Sequence, residues 1–116
     1  MNASFPHTAR LTQRREYDHV FQAPERKSSD RCFTVLGRSR LQGEPARLGL
    51  VVAKRQIRRA HERNRVKRLV REAFRQLPQR EKAALDIVVI ARAAAQDTDN
   101  AALFRTLHRH FQRIIP

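Results

Sequence analysis

Residues 63–75 read RNRVKRLVREAFR. Arg63, Arg65, Lys67, Arg68, Arg71 and Arg75 stand there against a single acid, Glu72, while Val66, Leu69, Val70, Ala73 and Phe74 recur at helical spacing. At about 100° per residue, His61, Arg68, Arg71 and Arg75 fall within roughly 60° of Asn64 on a helical wheel. Lys67 lies on one flank of that group and Arg65 on the other. Val66, Leu69, Val70, Ala73 and Leu77 collect opposite. The pattern predicts one helix with a side for a protein core and a side for a polyanion. Arg63 falls nearer the apolar side, where its stem can snorkel around the helix start.

The charge is too one-sided for an ordinary solvated face. Residues 54–75 hold ten basic residues and two acids, a local charge of +8 within a chain total of +14. The pairs Arg63–Lys67, Lys67–Arg71 and Arg71–Arg75 are like-charged at i, i+4 and destabilise a free helix. A helix built only for structure alternates its signs. Lys plus Arg is 25 against 11 for Asp plus Glu, with a pI near 11.7. Such an excess costs self-repulsion unless a partner supplies the counter-charge, and nucleic acid is the commonest one. Arg outnumbers Lys, which favours forked contacts to phosphate and stacking on bases.

Strands flank the charged helix. Residues 47–53, RLGLVVA, and 84–91, ALDIVVIA, are near-continuous apolar runs of strand length. The helix between them allows a parallel crossover. Upstream, Thr12 is a candidate N-cap for a short helix to about Gln22, with Tyr17, Val20 and Phe21 at i, i+3, i+4. Residues 23–30, APERKSSD, read as a loop. Residues 31–37, RCFTVLG, read as a strand with Phe33 and Val35 on one face and Cys32, Thr34 and Leu36 on the other. Pro78 closes the charged helix. Asp97, Thr98 and Asp99 offer caps for a last helix to about Ile114, with a core stripe of Leu103, Phe104, Leu107, Phe111, Ile114 and Ile115. The order helix, strand, strand, helix, strand, helix predicts one small α+β domain over residues 1–116, with helices packed on a sheet and residues 1–10 as a loose basic segment.

Several function classes drop out. The lone Cys32 allows no internal disulfide and no multi-cysteine metal site, and fits a reducing, intracellular, cytoplasmic setting. No secretory signal or membrane-length apolar run is present. The five histidines, His7, His19, His61, His108 and His110, form no HExxH pattern. Asp18, Asp86, Asp97 and Asp99 make no recognisable metal cluster, and Ser28, Ser29 and Ser39 have no evident base beside them. No catalytic residue and no protein-bound metal are therefore expected.

The run RNRVKRLVREAFR, preceded by RLGLVVAKR at 47–55 and followed by DIVVIAR at 86–92, resembles the bacterial ribonuclease P protein component. The resemblance extends from about Arg10 to Phe111. One departure is Ile57-Arg58-Arg59-Ala60-His61, where the family often has a glycine turn and an aliphatic residue; the extra charge there offers further phosphate contacts.

The resemblance implies a two-layer α+β sandwich with a sheet of about four strands and three helices. It also implies a left-handed crossover around the charged helix, against the general rule. It implies the accessory subunit of an endoribonuclease: a catalytic RNA with bound Mg²⁺ hydrolyses the bond joining the 5′ leader to precursor tRNA. The protein binds that RNA and the leader. Arg63, Asn64, Arg65, Lys67, Arg68, Arg71 and Arg75 match the family's RNA-contacting helix. Tyr17, Phe21, Phe33, Leu36, Val51, Lys54 and Arg55 match its leader-binding cleft. Aromatic rings with nearby cations suit unpaired nucleotides, because stacking does not demand a sequence. No obligate protein partner and no membrane are implied. Competing readings are a ribosomal-type structural RNA binder, a DNA-binding module using the charged helix, and a basic membrane-surface helix. The last is weakened because the helix's apolar side is needed as core.

Overall fold

A computed structural model of the chain describes residues 9–116. The apolar run Leu85–Ala91 forms the central strand, β4, and everything else is arranged around it. It pairs antiparallel with β2 (Phe33–Ser39) and parallel with β3 (Arg47–Val51); β1 (Arg26–Ser29) adds antiparallel to the outer edge of β2. The sheet order is β1-β2-β4-β3. The charged helix α2 (Ala60–Arg75) makes the crossover from β3 to β4. Helix α3 (Asn100–Ile114) follows a short 3₁₀ turn at Ala93–Asp97, and α1 (Arg14–Gln22) precedes the sheet.

The period of two along each strand sorts the sheet's side chains into two faces. One face presents Phe33, Val35, Leu48, Ile87 and Val89 to Val66, Val70, Phe74, Leu103, Leu107 and Phe111 of α2 and α3. Phe74 and Phe111 meet edge to face, centroids 6.1 Å apart, where the helices join. Sheet and helix pair form the two-layer sandwich. The opposite face carries a smaller apolar cluster, Leu11, Val20, Leu36 and Val88, under α1.

An ionic knot fastens α1 to the sheet. Asp86, buried on β4, accepts two hydrogen bonds from Arg47 at 2.8 Å each, and Arg47 also donates to Glu16 of α1 at 3.0 Å. The Glu16 carboxyl is held below its ordinary value by the backbone N–H groups of Gln13 and Thr12, with Arg47 adding to the effect.

Several expected boundaries move. Residues 23–30 are not all loop: Arg26–Ser29 is an edge strand. Its sequence, RKSS, is polar because only Ser28 is buried, so no hydrophobic alternation marks it. The second strand starts at Phe33 rather than residue 31, because Asp30 accepts from the backbone of Cys32 and Phe33 at 2.8 Å each and holds a turn there. Cys32 is buried in that turn. The third strand stops at Val51 instead of 53. The N-cap of α1 is Gln13, not Thr12. Asp99 caps α3 as expected, accepting from Ala102 N at 2.8 Å. The expected loose segment at 1–10 lies outside the described residues up to residue 8. Arg10 bridges to Leu48, and Leu11 N donates to Leu48 O, so this end of the segment lines the free edge of β3.

Candidate nucleic-acid interface

Helix α2 is two-sided as its wheel requires. Val66, Val70, Ala73 and Phe74 are buried; His61, Asn64, Arg68 and Arg71 are exposed. The structure divides the cations of this helix into two kinds. Arg63 turns back over the helix start, donating to the carbonyls of Ile57 and Arg58 at 3.0 and 2.7 Å. Arg65 ties α2 to the 3₁₀ turn and to α3. It bonds Glu62 at 2.8 Å, Asn100 Oδ1 at 2.7 Å, and the carbonyls of Thr98, Gln96 and Ala95 at 3.2 to 3.4 Å. Arg75 pairs with Glu72 one turn back. Lys67, Arg68 and Arg71 have no such partners among the described residues. A cation already saturated by its own fold has little left for phosphate. The free set is therefore Lys67, Arg68 and Arg71 with Asn64.

Lys67 and Arg71 lean toward the free edge of β3, where they share a notch with Arg10, Leu11, Tyr17, Leu48 and Leu50. Tyr17 connects α1 to that edge: its hydroxyl accepts from Leu50 N at 3.1 Å and donates to Leu11 O at 3.3 Å. Its ring lies against Gly49, where an added Cβ would stand 2.7 Å from Cε2.

The uncovered part of the sheet begins beside that ring. The strand registers place Ser29, Thr34, Ile90 and Val51 in one row across all four strands. The next row, Lys27, Leu36, Val88 and Gly49, has its centre beneath α1. Thr34, Ile90 and Val51 remain half-exposed. Phe21, near the end of α1, is 41% exposed, an unusual state for a large apolar ring. Lys54 and Arg55 are exposed just past β3 and line a cationic hollow with Arg58. Tyr17 and Val51 border this open apolar shelf and Leu36 lies in its floor beside α1, while Phe21 follows Tyr17 one turn on along α1 and the cations Lys54 and Arg55 come just past the end of β3.

Phe33 is a correction. It is 0% exposed, packed in the main core, with its ring edge-on to His110. Phe33 and Leu36 are three apart on one strand and must face opposite ways. Ile90 and Thr34 are shelf residues that sequence reasoning missed, as is Gly49, the buried seat of the Tyr17 ring at the shelf's border. Alternation in DIVVIA could have exposed Ile90, whereas nothing local marks Gly49.

Ser28 also differs from expectation, since a base does stand beside it. Its Oγ lies 2.6 Å from His110 Nδ1, and His110 Nε2 lies 3.0 Å from Asp30 Oδ2. Ser28 and His110 are both buried under α3, so the trio fastens edge strand to helix rather than meeting a substrate. Burial pushes the imidazole below its ordinary value; Asp30 opposes this, and Arg113 and Arg109 add to it.

The family model described as Ribonuclease P matches residues 5–115. The chain belongs to the ribonuclease P protein family. The "Ribonuclease P protein component" of Escherichia coli O139:H28 is 46% identical over 110 residues, 95% of this chain and 90% of that one, and the protein of the same name from Escherichia fergusonii matches equally well. Among solved structures, the Thermotoga maritima RNase P protein is 31% identical with a TM-score of 0.68, covering 91% of this chain and 94% of that one. The Staphylococcus aureus RNase P protein shares the fold, with a TM-score of 0.79 at 24% identity, covering 93% of this chain and 98% of that one. In this chain α2 covers one face of the sheet and the shelf lies on the other, and Lys67, Arg71 and Tyr17 bring the two surfaces together around the edge of β3. Among the described residues no helix is long and apolar enough to cross a membrane.

Proposed function

We propose that this chain is the protein subunit of a ribonucleoprotein ribonuclease P, acting in the cytoplasm. It binds the catalytic RNA and the 5′ leader of precursor tRNA, and so assists endonucleolytic removal of the leader. The observation that carries this reading is the adjacency of two surfaces of different chemistry: the unpaired basic face of α2 and the open shelf beside α1. A uniformly basic binder needs only the first.

On this reading, Asn64, Lys67, Arg68 and Arg71 meet the RNA subunit, neutralising phosphates and releasing counter-ions. Arg63, Arg65 and Arg75 hold the helix in place and present part of their charge at its margins. Tyr17, Phe21, Val51 and Leu36 offer apolar contact to unpaired leader bases, and Lys54 and Arg55 hold the leader's backbone. Fixing the leader on the shelf places the scissile bond relative to the RNA and lowers the entropic cost of reaching the reactive geometry. Mg²⁺ belongs to the RNA subunit; the protein's cations lower the repulsion between RNA and substrate, so less Mg²⁺ is needed.

The test is cleavage of precursor tRNA by a cognate catalytic RNA at low Mg²⁺, with and without the protein. Restored cleavage at the mature 5′ end supports the reading. No effect at any Mg²⁺ concentration overturns it and favours a structural RNA binder.

A further inference from the structure

Helix α3 carries a second basic surface. Its fifteen residues include Arg105, Arg109 and Arg113 and no acid. Leu103, Leu107, His110, Phe111 and Ile114 turn inward, and the three arginines are exposed on the opposite side. Among the described residues none offers any of the three a hydrogen bond or an ion pair. By contrast, Arg40, Arg47, Arg65 and Arg75 are each paired with a carboxylate. Among the described residues, the three arginines of α3 thus serve no internal contact.

The three arginines recur every fourth residue, so successive side chains advance about 6 Å along the helix and turn about 40° around it. That advance is commensurate with the spacing of phosphates along a nucleic-acid strand. The turn carries the row toward β1, because His110, facing Ser28 and Asp30, marks that flank of α3. Arg26 on β1 extends the row: it pairs with Gly37, whose Cβ direction points at Ile114 Cγ2, 2.9 Å away. On the other flank of α3, Phe111 packs on Phe74 of α2. The free cations of α2 lean the opposite way, toward Tyr17 and the β3 edge. The two basic rows therefore diverge from the seam between the helices.

We propose that Arg105, Arg109 and Arg113, with Arg26, form a second RNA-binding track that grips the backbone of an RNA segment distinct from the one on α2. This rests on the chain's being the RNA-binding subunit. Two diverging tracks on one rigid helical layer make the protein a clamp between two parts of its RNA. Like-charged residues at i, i+4 weaken an isolated helix, and a bound polyanion relieves that repulsion. The track needs no base recognition, since exposed arginines on one helix face meet phosphates by charge and forked hydrogen bonds.

The experiment uses the full-length protein and its cognate catalytic RNA. Salt-dependent binding is measured for the unaltered chain, for R105Q/R109Q/R113Q, and for a control, R14Q/R15Q/K82Q, which removes the same charge elsewhere. Each lost phosphate contact flattens the log K against log salt slope by about 0.7–0.9. The α3 triple variant is expected to flatten it by about 2, well beyond the control, with an unchanged thermal midpoint. A cleavage reagent tethered at position 109 is expected to cut RNA nucleotides different from those cut from position 68. Equal slopes for the α3 and control variants, or identical cuts from 109 and 68, overturn the second track while leaving the α2 interface standing. No RNA binding by the unaltered chain overturns both readings.

Discussion

Tyr17 occupies the space that a side chain at Gly49 would need. The ring's Cε2 stands 2.7 Å from where a Cβ would be, while the hydroxyl accepts from the neighbouring Leu50 N–H at 3.1 Å. The ring can lie on β3, and cover the free edge of the sheet, only because residue 49 is glycine. This contact sets the border of the open shelf.

Gly49→Ala is therefore expected to push Tyr17 off the strand and destabilise the fold by about 1–3 kcal/mol, the usual cost of overpacking. Chemical denaturation of the variant checks the size of the effect. Stability equal to that of the unaltered protein would show that the ring moves aside freely and does not fix the shelf.

Two arginines three residues apart should behave in opposite ways. Arg65→Gln removes a side chain that holds the 3₁₀ turn and Asn100 to α2, and should cost about 1–3 kcal/mol of stability. Arg68→Gln touches no internal partner and should leave the thermal midpoint in place while weakening RNA binding and its salt dependence. Thermal unfolding and a binding titration of both variants read the two effects separately. Loss of stability in Arg68→Gln, or none in Arg65→Gln, contradicts the division.

The His110 site predicts a pH dependence. Burial holds the folded-state imidazole below its ordinary value of 6.5, so the native protein binds fewer protons there than the unfolded chain. Stability is full above that value and declines as pH falls from 6.5 toward the lower folded value. Burial alone would raise the Asp30 carboxyl, but the backbone N–H groups of Phe33 and Cys32 outweigh it and keep Asp30 ionised through this window. Denaturation midpoints between pH 8 and 5 should fall for the unaltered protein and stay flatter for His110→Asn. Parallel curves would place the titration elsewhere.

Much of this architecture is legible in the residues themselves. The period of RNRVKRLVREAFR locates both faces of α2, because burial and charge share one helical repeat. The run LDIVVIA announces a central strand, because strands covered on both faces lack polar alternation. RLGLV reads as central in the same way but forms the edge strand β3, whose outer side is lined by Arg10, Leu11 and Tyr17. Edge strand β1 escapes, since RKSS buries one small hydroxyl. Which cations are free also escapes. The carbonyl partners of Arg65 lie thirty or more residues away and are met only when the chain folds. Phe33 is misassigned by resemblance, although the alternation of its own strand already sets it on the core side.

In the proposed function, the protein holds the leader on the shelf while α2 holds the RNA. The most direct measurement is the affinity of the assembled enzyme for precursor tRNA and for mature tRNA, using the unaltered protein and Tyr17→Ala/Phe21→Ala. The variant should weaken precursor binding tenfold or more, about 1–3 kcal/mol for each lost stack, and leave mature tRNA binding unchanged. Equal weakening for both ligands, or none for either, would contradict it.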